Sequence, residues 1–296
     1  MELFLDFKTI TLGIVVEALP FLLIGVLVSV AVDLFLKPEW IFKLIPKNRY
    51  ISHFFVSTLG IFMPVCECGN VPVARRLLMY NLNVSHVITF LLAAPIINPI
   101  TLWSTLEAFG FDQNVAIFRL IGALVIACTV GIILSFYSNQ ENFLTKKMKE
   151  DIENCHIHSH DENRINRALD VFEKEFLSTF KLLIIGSAIA GFTQTVVPRE
   201  ILENLGSSPV LSVVAMMLLA FVVSICANID AFFALAYANT FTLGSLLSFM
   251  IFGPMIDMKM LAMLKNTFNF KLLLMVTIFV ATYSFLIGLL INNFYV

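Results

Sequence analysis

The sequence predicts an all-α polytopic membrane protein made of two inverted repeats, each of three spanning helices plus one broken, re-entrant helical hairpin. Three observations lead there. Of the 296 residues, 59% are hydrophobic and 14% charged, with a mean hydropathy of +0.90, whereas a soluble domain carries about 25% charge. Apolar stretches lie near 9–36, 51–80, 84–106, 117–138, 176–198, 210–238, 243–263 and 272–292, and about 20 residues cross the hydrocarbon. Two of these stretches, 51–80 and 210–238, are too long for one crossing and are interrupted by polar residues.

Composition also narrows the function. The net charge of −2 says nothing about partners, because charge here is sorted by loop; with no basic patch or nucleic-acid motif, the expected partner is the lipid bilayer and not nucleic acid. The start, Met1 to Lys8, lacks a basic leader, and the apolar run after it is too long for a signal peptide, so the first span is expected to stay uncleaved. Five cysteines (66, 68, 128, 155, 226) form no disulfide framework. Cys66 and Cys68 would close a small strained ring, so both read as thiols.

Taken in order, the first span carries Glu17 and Gly25. The second stretch breaks at Met63-Pro-Val-Cys-Glu-Cys-Gly-Asn-Val-Pro72, because proline removes a backbone donor and glycine permits unusual dihedrals. In lipid, broken backbone persists only inside protein or beside a wet cavity, and an ionisable Glu67 there costs about 2.5–3.5 kcal/mol on insertion scales. The third stretch holds Pro95, Asn98 and Pro99, and Pro99 leaves the Pro95 carbonyl without its helical donor, which frees oxygen ligands beside Asn98. In the fourth, Cys128 is expected mid-helix without a polar partner and reads as a packing residue.

Residues 139–175 form the one sizeable polar segment, partly helical from Arg164 to Glu175. It contains Cys155-His-Ile-His-Ser-His160. Alternate residues share a face of an extended chain, so Cys155, His156, His158 and His160 can enclose a zinc-like metal, the competing reading being a solvated polar loop. In the second half, Cys226-Ala-Asn-Ile-Asp230 breaks the sixth stretch, and Asp257 follows Pro254 in the seventh. Asp257 either binds a coupling proton or cation or pairs with Lys259 or a neighbouring helix.

Cation sorting chooses between eight crossings and hairpins. Eight crossings divide the 19 Lys and Arg residues almost evenly, whereas two hairpins leave only Lys8, Arg119 and Arg199 outside. The positive-inside rule favours the hairpins, with both termini outside and eight spanning helices as the alternative. The domains are then 1–138, a first membrane repeat; 139–175, a cytoplasmic linker; and 176–296, a second repeat. Duplication shows in the residues: Gly25 aligns with Gly186, Cys66 with Cys226, Asn70 with Asp230, and Pro95-Ile-Ile-Asn98 with Pro254-Met-Ile-Asp257. If the hairpin tips meet, Cys66, Glu67, Cys68, Asn70, Cys226, Asn228 and Asp230 converge, a thiol and carboxylate set suited to a soft or borderline cation or a thiol-binding metalloid. No nucleophile–base pair marks an enzyme.

Pro64-Val-Cys-Glu-Cys-Gly-Asn-Val-Pro72, Ala94-Pro95-Ile-Ile-Asn98-Pro99, Cys226-Ala-Asn-Ile-Asp230-Ala-Phe232 and Gly253-Pro-Met-Ile-Asp257-Met-Lys259 together resemble the signatures of a bacterial predicted-permease family that includes the organoarsenical efflux permeases. The resemblance covers nearly the whole chain apart from the central segment. It implies a multi-pass permease of the bacterial inner membrane whose substrate is mostly uncharacterised in the family; the thiol and carboxylate set adds the expectation of a small ion, metal or metalloid species, moved without a required cofactor. It also implies, for some members, a second small membrane subunit. The rival expectation is a non-transporting subunit or a metal-sensing scaffold.

Overall fold

A computed structural model of the chain describes residues 2–35, 45–62, 66–110, 113–157, 164–196 and 209–294. They form α1 (Glu2–Phe35), α2 (Arg49–Thr58) with a 3-10 turn at Leu59–Phe62, α3 (Glu67–Met79), α4 (Val84–Ile97), α5 (Pro99–Ala108), α6 (Gln113–Ser135) and α7 (Lys146–Ile157). The second half supplies α8 (Arg164–Val196), α9 (Pro209–Val223), α10 (Asp230–Leu235), α11 (Leu243–Met255), α12 (Met258–Leu264) and α13 (Phe270–Phe294). The described residues contain no strand, only one isolated bridge between Leu144 and Phe268.

Among the described residues, six helical stretches are long and apolar enough to cross a membrane: Phe4–Val32, Val84–Ala108, Gln113–Ser135, Ala168–Thr195, Leu243–Leu264 and Phe270–Phe294. The protein is therefore an all-helical, multi-pass membrane protein. The stretches left over are the two that the sequence marks as broken. Val84–Ala108 and Leu243–Leu264 are 78% and 83% buried, against 22–44% for the other four, so these two stand at the centre of the bundle. The outer helices turn Leu12, Leu27, Ile121, Phe192 and Leu290 outward, the inverse of a soluble surface and the pattern that hydrocarbon selects.

Both central stretches are divided. Asn98 ends α4 and caps α5, its side-chain oxygen accepting from the Ile100 N–H at 2.9 Å. Asp257 caps α12 by accepting from the Met260 N–H. A side-chain acceptor at this position satisfies one of the donors that a helix start leaves open. The carbonyl that Pro99 frees is not vacant, because the Thr101 hydroxyl donates to Pro95 O at 2.9 Å.

Polar contacts fix the ends of the bundle. At one end the Arg49 guanidinium stands 4.4 Å over the Phe136 ring, Ser85 N–H donates to Gln140 at 3.0 Å, and Asn269 N–H donates to Phe143 O at 2.8 Å. At the other end Asn292 accepts from Gly244 N–H at 2.9 Å and donates to Pro209 O at 3.4 Å, while Ser212 meets Thr242 at 3.3 Å. Segment 49–83 thus enters and leaves at the first end, and segment 209–242 at the second. The 25 residues of α13 separate these ends by roughly 37 Å at 1.5 Å per residue. Helices α1 and α8 run antiparallel, with Ser29 donating to Glu175 near the first end and Thr11 against Gly191 near the second. Gly25 lets α1 touch α3 backbone to backbone: a Cβ there would lie 2.1 Å from Gly69 O.

The central polar segment departs from its sequence reading. Residues 146–157 are helical, so Cys155 and His156 stand in the last turn of α7 rather than in extended chain. Their side chains, together with His158 and His160, lie outside the described residues, as do Met63, Pro64 and Val65. Helix α8 runs unbroken through residue 176, so Arg164–Glu175 is a continuation of a span.

Candidate functional site

The two interruptions have the same local backbone. Cys66 is the residue before α3, and its carbonyl accepts from the N–H groups of Gly69 and Asn70 at 3.1 and 3.2 Å. Cys226 repeats this: its carbonyl accepts from Ile229 and Asp230, both at 3.1 Å. An acid then falls in the first turn of each following helix, Glu67 in α3 and Asp230 in α10, where the open N–H groups favour negative charge.

The thiols converge. The donor atoms of Cys66, Glu67 and Cys68 all lie within 4.8 Å of one another, and all three residues are buried. Cys226 reaches the same place, since Lys259 Nζ lies 3.7 Å from its sulfur and 3.0 Å from Glu67 Oε1. This cluster offers two sulfurs and one oxygen, with a third sulfur alongside, a set that suits a borderline or soft metal.

Two fixed cations complete it: Lys259, which the sequence offered only as a partner for Asp257, and Arg119, which it placed in an outward loop. Lys259 Nζ donates to Glu67 at 3.0 Å, both side chains being fully enclosed, and lies 3.3 Å from Ser224 O and 3.7 Å from the Cys226 sulfur. Ser224 holds a positive φ of 51°, an uncommon backbone state for a side-chain-bearing residue, and its carbonyl is aimed at Lys259. Arg119 pairs with Asp230 at 2.5 Å, donates to Thr105 at 2.7 Å and reaches Ala227 O at 3.5 Å. Removing one partner of such an enclosed pair costs about 3–5 kcal/mol, because the other charge is stranded.

Several assignments change accordingly. Lys259 serves Glu67 rather than Asp257. Arg119, sorted by sequence among the outward loop cations, is fully buried. Cys128 is not without a polar neighbour, its sulfur lying 3.7 Å from Ser57 Oγ. Asn228 meets the Thr101 hydroxyl at 3.0 Å. That hydroxyl has one hydrogen and already donates to Pro95 O, so the pairing is satisfied with the Asn228 amide turned to donate. An arginine and a lysine inside apolar runs were the available signals for the missed residues, since intramembrane cations rarely lack a partner.

Some polar atoms here have no partner among the described residues: both amide atoms of Asn70, Glu67 Oε2, Asp230 Oδ1 and Asp257 Oδ2. Buried polar atoms are normally bonded, so a group of orphans marks where a ligand or water belongs. Three of the four residues are carboxylates, whose orphan oxygens accept hydrogen bonds or bind a cation.

A second charged group lies at the first end of the bundle. Arg76 pairs with Glu175 at 2.9 Å and Arg75 with Asp151 at 3.2 Å, and Arg75 also donates to Ser178 at 3.2 Å. These contacts tie the C-terminal turn of α3 to α7 and α8.

Residues 3–293 match the model of a family described as predicted permease. A similar protein, "UPF0718 protein YcgR" of Bacillus subtilis, is 40% identical over 288 residues, covering 96% of this chain and 97% of that protein. Another, from Streptococcus mutans, bears the name "Putative two-component membrane permease complex subunit" and is 37% identical over 282 residues, covering 94% and 91% of the two chains. No solved structure matches the chain.

Proposed function

The chain belongs to the predicted-permease family, and on that premise we propose that it moves a small ion, metal or metalloid species across the bacterial plasma membrane by alternating access. Its substrate site is the convergence of Cys66, Glu67, Cys68, Asn70, Cys226, Asn228 and Asp230 with the two capping residues Asn98 and Asp257. One observation carries this reading: enclosed ion pairs join the break of each half to the span breaks and helices of the other. Glu67 in α3 holds Lys259 in α12, and Asp230 in α10 holds Arg119 in α6. Charges with orphan oxygens beside them, at the meeting of four interrupted helices, suit a path for a charged solute better than a packed core.

The finer architecture belongs to the same proposal. Segments 49–83 and 209–242 are re-entrant hairpins from opposite membrane faces, and the halves are inverted repeats. Support comes from the paired Cys66 and Cys226 backbone bonds, the Asn98 and Asp257 caps, and the opposite ends at which the segments enter. The repeat is imperfect: α1 lies against α3, whereas α8 lies against α12. The end carrying Arg49, Arg75, Arg76 and residues 136–157 is the cytoplasmic one.

The test is initial transport rate in proteoliposomes holding the purified chain, with zinc and a trivalent arsenical as probes. Cys66→Ser and Cys68→Ser keep size but lose the soft sulfur, so both lose transport at matched protein density while Cys128→Ser retains it. Equal rates for all three would move the site to Asn98 and Asp257. A second reading is favoured by the name of the Streptococcus mutans relative: the chain acts as one subunit of a two-protein permease. Under it the purified chain alone transports nothing and co-expression with a second membrane subunit restores the flux. On either reading the central segment is a solvated polar loop or a metal-sensing appendage carrying Cys155, His156, His158 and His160, and zinc affinity separates the two. In the second case replacing all four lowers zinc affinity without abolishing transport.

A further inference from the structure

Away from the thiols and their ion pairs, near the end that holds Arg49, α2 and α4 press two histidines together. The His53 and His86 rings are stacked with centroids 4.5 Å apart and planes 12° from parallel. His53 is fully buried and His86 half-buried. Helix α6 closes the third side at Gly131, where a Cβ would stand 2.7 Å from His53 Nδ1 and 1.9 Å from Thr89 Oγ1. The absent side chain is what makes room for the pair.

The surrounding hydroxyls assign both tautomers. His53 Nδ1 is 2.9 Å from Thr89 Oγ1, and Thr89 gives its only hydroxyl hydrogen to Ser85 O. His53 Nδ1 must therefore carry the hydrogen, leaving a lone pair on Nε2. Likewise His86 Nε2 is 3.0 Å from Ser52 Oγ, whose hydrogen goes to Arg49 O, so His86 carries its hydrogen on Nε2 and its lone pair on Nδ1. The remaining nitrogens, His53 Nε2 and His86 Nδ1, are both buried without a partner. Two basic lone pairs are thus kept unbonded beside each other, and an unpaired buried acceptor is normally avoided.

A shared metal does not explain them. An imidazole binds a metal in its own ring plane at about 2.0–2.1 Å, and two nearly parallel stacked planes do not meet within that reach. The remaining ligand of a histidine lone pair is a proton. The structure assigns to His53 and His86 a binding site for a single proton, near the end of the bundle that holds Arg49. A second proton would stack two cations face to face. The other ionisable groups around the pair reinforce the limit: Arg49 adds positive charge from α2 itself, α4 brings none besides His86, and α6 brings only Cys128, which is turned to Ser57. Binding one proton replaces a lone pair by an N–H with no acceptor, so it loosens α2 from α4. The first broken segment thereby becomes sensitive to proton concentration, independently of what the thiols carry.

The experiment is nitrogen-15 NMR of histidine-labelled full-length chain in detergent, with His156, His158 and His160 replaced by Asn so that only His53 and His86 report. At about pH 8 the rings should show opposite tautomers, Nδ1–H for His53 and Nε2–H for His86. On acidification both sets of signals should move in one shared step, with a second proton binding at least about 100-fold more weakly. His86→Phe keeps the stack and removes one acceptor, so His53 should then titrate alone. Two full protonations within one pH unit of each other, or no protonation of either ring down to about pH 4, would overturn the assignment. So would identical tautomers in the neutral state.

Discussion

Residue by residue, the burial of Lys259 and Arg119 is the feature with the largest energetic consequence. Each spends its charge on one carboxylate, so the pairs are better tested as couples than as single residues. Glu67→Gln should destabilise the detergent-solubilised chain by about 3–5 kcal/mol, because Lys259 stays charged with nothing opposite it. The double variant Glu67→Gln with Lys259→Met should recover most of that loss, and thermal unfolding of all three proteins measures the coupling. A double variant that loses the sum of the two single effects would mean that the two charges do not support each other. Sequence alone made Glu67 and Asp230 legible as costly intramembrane acids. Their partners were not legible, because Lys259 lies 192 positions from Glu67 and Arg119 lies 111 from Asp230, and only the folded bundle sets such distances.

At the level of elements, the breaks were readable and the capping chemistry only partly so. Cys66 and Cys226 stand where proline, glycine and acids gather in an apolar run, and both helices do stop there. The sequence places Asn98 and Asp257 among the substrate-binding residues, and each in addition gives one side-chain oxygen to the helix that follows it. The Pro95 carbonyl is taken by Thr101, because a hydroxyl two residues beyond the proline can fold back where the lost N–H would have been. Cys155 and His156 were read on extended chain because alternation was the only pattern visible, and helix α7 overrode it. The contact between α1 and α3 is a sharper test of element packing. Gly25→Ala would drive a methyl group into the Gly69 backbone, which has no flexible end to yield, so it should lower the melting temperature. Gly13→Ala on the same helix meets nothing within 4 Å and should leave the temperature unchanged or raise it. Equal behaviour of the two variants would mean that the close approach carries no load.

For the whole molecule, cation counts predicted which segments share a side, and Arg49, residues 80–85, 136–151 and 265–269 do gather at one end. Two of the counted cations, Arg119 and Lys259, are buried partners rather than loop charges. Cysteines introduced at Asn83 and Glu141 should both resist an impermeant maleimide in intact cells and both react in inverted vesicles. Opposite behaviour at the two positions would remove the hairpin topology. The ion pairs bear on kinetics as well as on charge. Glu67 to Lys259 and Asp230 to Arg119 each bridge the two halves, so halves that swing apart with nothing bound must strand a charge. A cost of about 3–5 kcal/mol slows that swing by about 10²–10⁴-fold. On the alternating-access function proposed above, an unloaded carrier of this design resets slowly, leaks little and exchanges solute across the membrane faster than it delivers solute in net amount.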